Sequence, residues 1–565
     1  MKTFDSYELL ITPLSPVHIG TGDSYDPTNY VIEGDALYEF DSGEVVEVLS
    51  KPEREELLRV VDRRPSEEMI KAVQRFFYGR RSLLIHHARN RLRVLEGVAT
   101  LYRERVGQTA QHEQGGRQVI NRLEIDRTAF NLMTRLPLLF GSSLKGAIRT
   151  ALLDKRNNGQ PRRTHTDRPR TEGNADLQHR LFAYRPGKFE LDPLRLVQIS
   201  DAAWQGDADV PPSEVHFAVN RKKVPVRDER GRLRASQAEQ KNLYQILECV
   251  AALRHRAFRA QLNIQKVDGV DKPGELPSDD LRFTIQDIAR ACNDFYRAIL
   301  SEESRLLAER GFLSQSWYDD LRELMTGELG QLLDSNQAFL LRAGRHSGAE
   351  SVTLRGVREI RIMTGRGQSE LASGAKTVWL AAREPGNQQE LLPFGWLLVE
   401  VAAGADRYPE TCSALKKVCE SHLRPARDWA ARQAQLAEER AQQQAESEAR
   451  RRQEEQQARL RVEQEQRAAR LDAERQARLA AMSPEERAIE DLRVLYDGEK
   501  AANRKEPQGE LAQRRAELLK QAKSWSAAEM RRKAAELIEE TTRWVPWPKK
   551  KQTERQKELD ELRNP

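Results

Sequence analysis

The segment from Ala405 to Asp497 contains no glycine, and this absence constrains the fold of the chain more than any other sequence feature. Within it, residues 424–482 hold 13 Arg, 11 acidic residues and 11 Gln, with no Lys. These residue types favour helix formation, and the acids and arginines often stand four positions apart, where they attract each other on a helix surface. Residues 405–482 are therefore predicted to form one long charged helix.

The long helix carries few large apolar residues, of which Leu436, Leu460, Leu471 and Leu479 are the clearest. A coiled coil needs apolar residues at positions a and d over several heptads. A solvated single helix is therefore favoured, and a dimeric coiled coil is the alternative. At 1.5 Å per residue, the stretch from Arg427 to Met482 would span roughly 80 Å and could act as a tether.

Two capping signals follow the long helix. Ser483-Pro-Glu-Glu486 places a cap, a proline and a glutamate where a new helix would begin, and Ser526-Ala-Ala-Glu529 repeats the pattern. Residues 483–547 are therefore predicted to form a small all-α module. Residues 548–565 are predicted to be a basic tail. Together with that tail, an aromatic and basic contact surface is expected from Trp544, Trp547 and Lys549 to Lys551.

The chain before the long helix has mixed secondary-structure signals, which predict an α+β fold. Apolar and polar residues alternate from Tyr7 to Thr12 as in a strand, and similar runs alternate with helical periodicities. We expect a first region at 1–153 and a second at 191–404. Residues 154–190 between them are poor in apolar residues and are predicted to be a basic mobile loop.

The distribution of charge favours a polyanionic partner. The net charge is only +6, but residues 154–188 hold nine Lys or Arg against four acids. Residues 220–234 hold seven cations against two acids, including Arg221, Lys222 and Lys223. Nucleic-acid binding needs several cations along one track, so we favour RNA or DNA over two merely solvated loops.

Cysteine usage and hydropathy indicate the cellular compartment of the protein. Four cysteines form no disulfide framework, and the chain carries no signal peptide or apolar run long enough to span a bilayer. We therefore expect a cytoplasmic protein that does not bind a membrane. The cysteines and histidines lack zinc-ligand spacing, and we predict neither a metal nor a cofactor.

The stretch GSSLKGAIRTALL, Gly141 to Leu153, raises the question of phosphate binding. It is not a Walker loop, because the lysine precedes the second glycine. Ser142 or Ser143 is expected to cap a helix, and Lys145 and Arg149 would lie on one face near its positive end. An anion could dock there. The alternative is a capped structural helix with two solvated cations.

Two stretches resemble the RAMP superfamily of CRISPR effector proteins: LSPVHIGTGDSYDPTNYVI, from Leu14 to Ile32, and FGSSLKGAIRTALL, from Phe140 to Leu153. Three further stretches are similar to the terminal, fifth Csm subunit of type III-A complexes: LDPLRLVQISDAAW, VPVRDERGRL and LRAGRHSGAESVTLRG. The resemblance covers about residues 1–404. The helical extension beyond them is not part of it.

The resemblance implies tandem RRM-like, ferredoxin-type modules that bind a guide RNA. It implies a subunit that caps the CRISPR RNA 3′ end, assembles with other Csm subunits, especially the backbone subunit, and supports guide maturation in antiviral defence. A ribonuclease that cuts or trims RNA and a scaffold that recruits trimming nucleases are the alternatives. The RNA contacts that it implies are His18, Gly20, Gly22, Ser142, Ser143, Lys145, Gly344, Arg345, His346 and Gly348.

Catalysis is not expected. Backbone relatives cut RNA with an aspartate after the first signature, and this chain offers Asp23 and Asp26 there, near His18. Acid–base cleavage needs a second positioned group, and aspartates in loops commonly hold turns through local hydrogen bonds. We therefore predict a protein that is not an enzyme, with ribonuclease activity as the alternative.

Overall fold

The computed structural model describes residues 3–62, 66–107, 111–112, 118–119, 123–164, 171–241, 243–267, 275–365, 368–403 and 412–563. They belong to two compact units, Met1–Ala441 and Gln442–Pro565. Among the helices of these residues, none combines the length and the apolar character that crossing a membrane requires.

The described strands all lie in the first unit. They are β1 (Phe4–Pro13), β2 (Gly20–Tyr25), β3 (Tyr30–Glu33), β4 (Ala36–Glu39), β5 (Asn90–Val94), β6 (Gln111–His112), β7 (Gln118–Val119), β8 (Ile125–Thr128), β9 (Leu138–Leu139), β10 (Val197–Ile199), β11 (Ala202–Trp204), β12 (Ser213–Lys222), β13 (Tyr244–Val250), β14 (Phe258–Gln265), β15 (Ala338–Arg342), β16 (Ile360–Gly365), β17 (Gln368–Ala372), β18 (Thr377–Ala382), β19 (Leu392–Pro393) and β20 (Trp396–Ala403).

Helices surround these strands and make up the second unit. They are α1 (Ser42–Val48), α2 (Lys51–Val61), α3 (Glu67–Gly79), α4 (Arg81–His86), α5 (Glu96–Arg105), α6 (Gly141–Asn157), α7 (Asn174–Phe182), α8 (Gln237–Gln240), α9 (Ile285–Cys292), α10 (Ala298–Glu309), α11 (Gln315–Thr326), α12 (Glu328–Asp334), α13 (Ser413–Ala481), α14 (Pro484–Ala501), α15 (Glu510–Ala522), α16 (Ala528–Trp544) and α17 (Gln552–Arg563).

Two large sheets organise the first unit, which confirms the α+β class. One has the order β15-β20-β1-β14-β11-β9, and the other has the order β2-β8-β13-β12-β5-β4-β3. Both sheets mix strands from the regions predicted at 1–153 and 191–404. For example, β1 pairs antiparallel with β14 on one side and with β20 on the other. The two regions are therefore interleaved, because partners far along the chain complete each sheet.

The main core of the first unit gathers apolar residues from the sheets and from α6 and α9. Leu9 and Ile11 of β1 are buried, and so are Ile148 of α6 and Ile288 of α9. Burial of such side chains stabilises the fold by about 1.5–3 kcal/mol each. This core fixes the sheet edge and the helix start from which the candidate site is built.

The segment predicted as a mobile loop is partly helical. Residues 165–170 lie outside the described residues, but α7 covers 174–182, with Leu177, Leu181 and Phe182 buried. Its start is held by Asp176, whose carboxylate accepts the Gly173 amide at 3.1 Å. Three apolar residues on one helix face are enough to dock this short helix on the core, which the overall polarity of the segment concealed.

The long helix is confirmed, but its beginning is part of the first unit. Cys412, Leu415, Cys419 and Trp429 are buried there, whereas Leu460 is exposed. The Trp429 indole Nε1–H donates to the Asp35 carbonyl at 3.1 Å. The expectation of a solvated helix throughout is therefore wrong for this initial part. Residues 404–411 lie outside the described residues.

The second unit has its own apolar core, formed by α14 to α17. The capping box at Ser483 is confirmed, since its hydroxyl accepts the Glu486 amide at 3.1 Å. The one expected at Ser526 is wrong: α16 has Ala527 as its cap residue, with no side-chain bond. Trp547 lies within the core together with Leu559 and Leu562. The predicted basic tail is thus mostly the packed helix α17, and Trp547 is not exposed for contact.

Candidate nucleic-acid interface

Backbone hydrogen bonds join three glycine-containing segments around His18 and Ile19. The Ala129 amide donates to the Ile19 carbonyl at 2.7 Å, and the Leu138 amide donates to the Ala129 carbonyl at 2.8 Å. The Arg345 amide donates to the His18 carbonyl at 2.8 Å. The first signature, the approach to α6 and the Gly344 loop therefore form one continuous scaffold, although they are more than 100 residues apart in sequence.

His18 is a structural residue at the centre of this scaffold. Its ring is fully buried, and Nδ1 lies 2.7 Å from the Glu248 carbonyl. Burial lowers the pKa of His18, while the bond to Glu248 opposes that shift. The ring lies against the start of β2, where a Cβ at Gly20 would be 3.1 Å from its Nε2, and where Gly20 and Gly22 are exposed. His18 does not offer its side chain to solvent as a general base.

The second glycine loop fits closely against His18. Gly344 has φ +89°, and a Cβ there would lie 2.4 Å from the His18 carbonyl oxygen, so only glycine fits. Arg345 is exposed and pairs with Asp126 at 2.5 Å. His346 stacks on Trp379 at 4.8 Å, and burial lowers its pKa to about 4. Arg345 therefore faces solvent, whereas His346 is a neutral stacking residue.

The loop turns back at Gly348, which has φ +79° and a Cβ position 3.4 Å from the Arg342 guanidinium. Arg342 is buried and bonds Glu303 at 2.9 Å. Gly348 thus shapes the end of the loop rather than pointing a group outward. Of the predicted contacts at 344–348, Arg345 is the exposed residue, whereas Gly344, His346 and Gly348 are half-buried.

The start of α6 differs from the prediction. The helix begins at Gly141 with Phe140 as its cap residue, so neither Ser142 nor Ser143 is the N-cap. The Gly141 amide donates to the Asp201 carboxylate at 2.8 Å. A Cβ at Gly141 would lie 2.4 Å from the Ile199 carbonyl oxygen. An anion is therefore not expected at the first amide, because a carboxylate from a distant segment already binds there.

The two cations predicted near the start of α6, Lys145 and Arg149, have different roles. Arg149 donates to both carboxylate oxygens of Asp192 at 2.9 Å and to Gln178 at 3.0 Å. Lys145 is half-buried and has no hydrogen-bond acceptor within the described part of the chain. Burial lowers the pKa of Lys145, and the charge of Asp192 opposes that shift. Lys145 is the cation that remains available to a ligand.

The three cations chosen from the basic patch are also largely engaged. Arg221 is buried, and it donates to the carbonyls of Pro385 and Asn387 at 2.9 and 2.6 Å. Lys223 pairs with Glu350 at 2.7 Å, and Lys222 is half-buried at the end of β12. Arg221 and Lys223 therefore hold the end of β12 in place, because this strand extends to Lys222.

Four arginines further along the patch were missed as individual candidates. The turn is held by Asp228, whose carboxylate accepts the amides of Arg230 and Arg232 at 2.9 Å. The exposed side chains that have no carboxylate partner among the described residues are Arg227, Arg230, Arg232 and Arg234. Three of them, Arg230, Arg232 and Arg234, alternate in sequence around the turn, where Gly231 has φ +75°. This alternation in the sequence could have identified them as candidates.

A buried polar network underlies the interface. The Glu248 carboxylate accepts hydrogen bonds from Ser213 Oγ at 2.9 Å and from the Tyr25 hydroxyl at 3.2 Å. Burial raises the pKa of Glu248 to about 7, although these bonds oppose the shift. Arg127 forms a two-pronged pair with Glu39 at 2.8 and 3.1 Å. These bonds join β13 to β2 through Glu248 and join β8 to β4 through Arg127.

The two catalytic candidates are Asp23, which lies within β2, and Asp26, which follows β2 directly, and their amides make local hydrogen bonds. The Asp23 amide donates to Thr21 Oγ1 at 3.3 Å, and the Asp26 amide donates to Asn29 Oδ1 at 3.0 Å. Partial burial raises the pKa of Asp26, with the charge of Glu124 adding to the shift. Within the described ranges, no group of three or more His, Cys, Asp or Glu side chains could hold a metal ion.

The comparisons with known proteins identify the family. A family model described as the RAMP superfamily matches residues 10–300, which is more than half of the chain. The protein belongs to the RAMP superfamily, and the resemblance noted from the two signatures is confirmed. No curated protein matches the chain.

Two solved structures are similar to this chain. One belongs to a Csm–crRNA–target RNA ternary complex of a type III-A CRISPR-Cas system, with 16% identity and a TM-score of 0.40, over 70% of this chain and 100% of that one. The other is the crystal structure of T. onnurineus Csm5, with 15% identity and a TM-score of 0.38, over 68% of this chain and 99% of that one.

Proposed function

We propose that this protein is an RNA-binding subunit of a type III-A CRISPR interference complex and that it caps the 3′ end of the CRISPR RNA. The observation that carries the proposal is the scaffold around His18 and Ile19. It joins the two signature segments of a RAMP chain to the Gly344 loop, with Gly20 and Gly22 exposed and with Gly344 and Gly348 half-buried. Exposed glycine backbone allows an RNA strand to approach closely, because no side chain intervenes.

Further cations of the first unit support RNA as the ligand. The arginine hairpin, residues 224–234, carries cations without carboxylate partners in the described ranges, and Lys145 lacks an acceptor there as well. Phosphate contacts of this kind supply affinity that does not depend on sequence. A guide-binding subunit needs this property, because the guides of one cell differ in sequence.

The proposed role contains no cleavage step. Asp23 is exposed, and no group placed for acid–base work lies beside it in the hydrogen-bond network described here. The proposed partners are the CRISPR RNA, the backbone subunit and other Csm subunits. A scaffold role is compatible with this proposal, and in it the second unit would recruit trimming nucleases.

Sequencing of the RNA that copurifies with the full chain tests the function. We expect guides that share a repeat-derived 5′ tag, because a cap protein retains mature guides. A mixture of unrelated cellular RNA, or no RNA, contradicts the proposal.

A salt titration of RNA affinity tests the assigned surface. Arg230→Ala should weaken binding to all sequences and reduce the slope of log affinity against log salt by about one unit. The matched control is Arg305→Ala, which removes an exposed arginine that pairs with Glu309 on α10. Equal slopes for the two variants would show that the hairpin does not contact phosphate.

A further inference from the structure

An open pocket of about 270 Å³ lies beside α6 in the first unit. One wall is α6 with Lys145 and Gly146, and the opposite wall comes from two short 3-10 turns, Phe189–Leu191 and Pro193–Leu196. Small-molecule sites typically begin at about 300 Å³, so this pocket suits one small group rather than an extended segment.

The pocket carries an excess of positive charge. Arg149 and Asp192 line it but neutralise each other through their two-pronged pair. Lys145 is left without an acceptor in the part of the chain that the structure describes. Arg195 uses Nη1 to bond the carbonyls of Glu190 and Glu275 at 3.1 and 3.2 Å, and it has no carboxylate partner there. Lys145 and Arg195 therefore have no carboxylate partner among the described residues and can bind an anion.

An exposed aromatic ring stands beside these cations. Phe189 is 68% exposed, although a ring of this size is usually buried. Its nearest ring is Tyr184, with centroids 6.3 Å apart and planes tilted by 43°, so the two rings do not stack face to face. Nucleobases stack on such rings whatever their sequence, because every base has a π-face.

We propose that this pocket binds one unpaired RNA nucleotide, with the base stacked on Phe189 and an adjacent phosphate held by Lys145 and Arg195. The inference deepens the RNA-binding role and rests on it. An exposed aromatic alone would fit a protein partner equally well. Lys145 and Arg195, which have no carboxylate partner among the described residues, lie around a small open pocket beside Phe189 and select a ligand that is both aromatic and anionic.

Gly146 provides a way to block the pocket without damaging the fold. A Cβ at this position meets no atom within 4 Å. Leucine also has a higher helix propensity than glycine, by somewhat less than 1 kcal/mol. Gly146→Leu should therefore leave the protein folded and partly fill the pocket. A thermal melt checks that the variant is at least as stable as wild type.

The experiment measures the affinity of the full chain for single-stranded RNA and for a series of the same RNA with one abasic site at each position in turn. Phe189→Ala should weaken binding about tenfold, which is the range for loss of one stacked base. Phe189→Trp should keep wild-type affinity, and Gly146→Leu should match Phe189→Ala. Leu58→Ala, which removes an apolar side chain that is also 68% exposed, is the matched control.

The abasic series identifies the base itself. One abasic position should weaken wild-type binding about tenfold and have no further effect on Phe189→Ala, because both changes remove the same stack. If wild type binds RNA but Phe189→Ala and Gly146→Leu bind equally well, the nucleotide pocket is wrong and the RNA-binding role stands. If wild type binds no RNA, both are wrong.

Discussion

Replacement of Trp429 tests whether the beginning of α13 belongs to the first unit. The side chain is 4% exposed and lies in a cluster with Phe40 and Phe77. Its indole N–H donates to the Asp35 carbonyl. Truncation of a buried Trp to Ala costs about 3–5 kcal/mol, so Trp429→Ala should largely undock this segment.

Hydrogen exchange measures the effect locally. Amides near residues 420–435 should lose protection by about 100-fold or more in Trp429→Ala, since 1.4 kcal/mol is a factor of ten. Trp429→Phe keeps most of the apolar area and loses the indole bond, which costs about 1 kcal/mol, or about fivefold in protection. Leu460→Ala, on the same helix but 52% exposed, should leave those amides unchanged.

Two results would contradict the docking of residues 420–435 within the first unit. Wild-type amides at 420–435 could exchange as fast as those of the exposed part of α13, or Trp429→Ala could leave protection intact.

Truncation of the chain tests the same docking. A chain ending at Gly404 should aggregate, because it lacks the buried residues Cys412, Leu415 and Cys419. A chain ending at Ala441 should remain folded and bind RNA.

Three further predictions concern the interface. Arg127→Ala leaves the buried Glu39 carboxylate without its two-pronged partner and should destabilise the protein by about 3–5 kcal/mol in urea unfolding. The raised pKa of Glu248 means that its protonated form stabilises the fold. That contribution to stability is complete below about pH 4.5 and is lost as the pH rises through about 7. The urea midpoint of wild type should therefore fall over this pH range, and Glu248→Gln should abolish the fall. Arg149→Ala should lower the melting temperature because Asp192 loses its partner, whereas Lys145→Ala should reduce the salt slope by about one unit with the melting temperature unchanged.

Local sequence signals predicted much of the fold. The glycine-free run predicted the long helix, and Ser483-Pro-Glu-Glu486 predicted the start of α14, because both depend on residues within one or two helical turns. The interleaving of strands was not predictable in this way. The partners of β1 lie about 250 and 390 residues further along the chain, and no local pattern encodes such pairing.

Candidate site residues were predictable by segment but not by side chain. The sequence identified the basic patch as a segment. Within it, Arg221 is buried at the end of β12, whereas Arg230 is exposed on the turn that follows. The position at which β12 ends decides this difference. The cap of α6 was assigned to a neighbouring serine, but Asp201 provides the acceptor from 60 residues away. Charge and helix patterns specify which segments matter, and tertiary contacts decide which groups remain available.

RNA binding by the first unit can be tested by ultraviolet cross-linking of copurified RNA to the full chain, followed by mass spectrometry of the cross-linked peptides. We expect cross-links in β2 at Gly20 to Asp23, in the arginine hairpin at 224–234 and around Phe189, all within the first unit. Cross-links confined to residues 484–563 of the second unit would contradict RNA binding by the first unit.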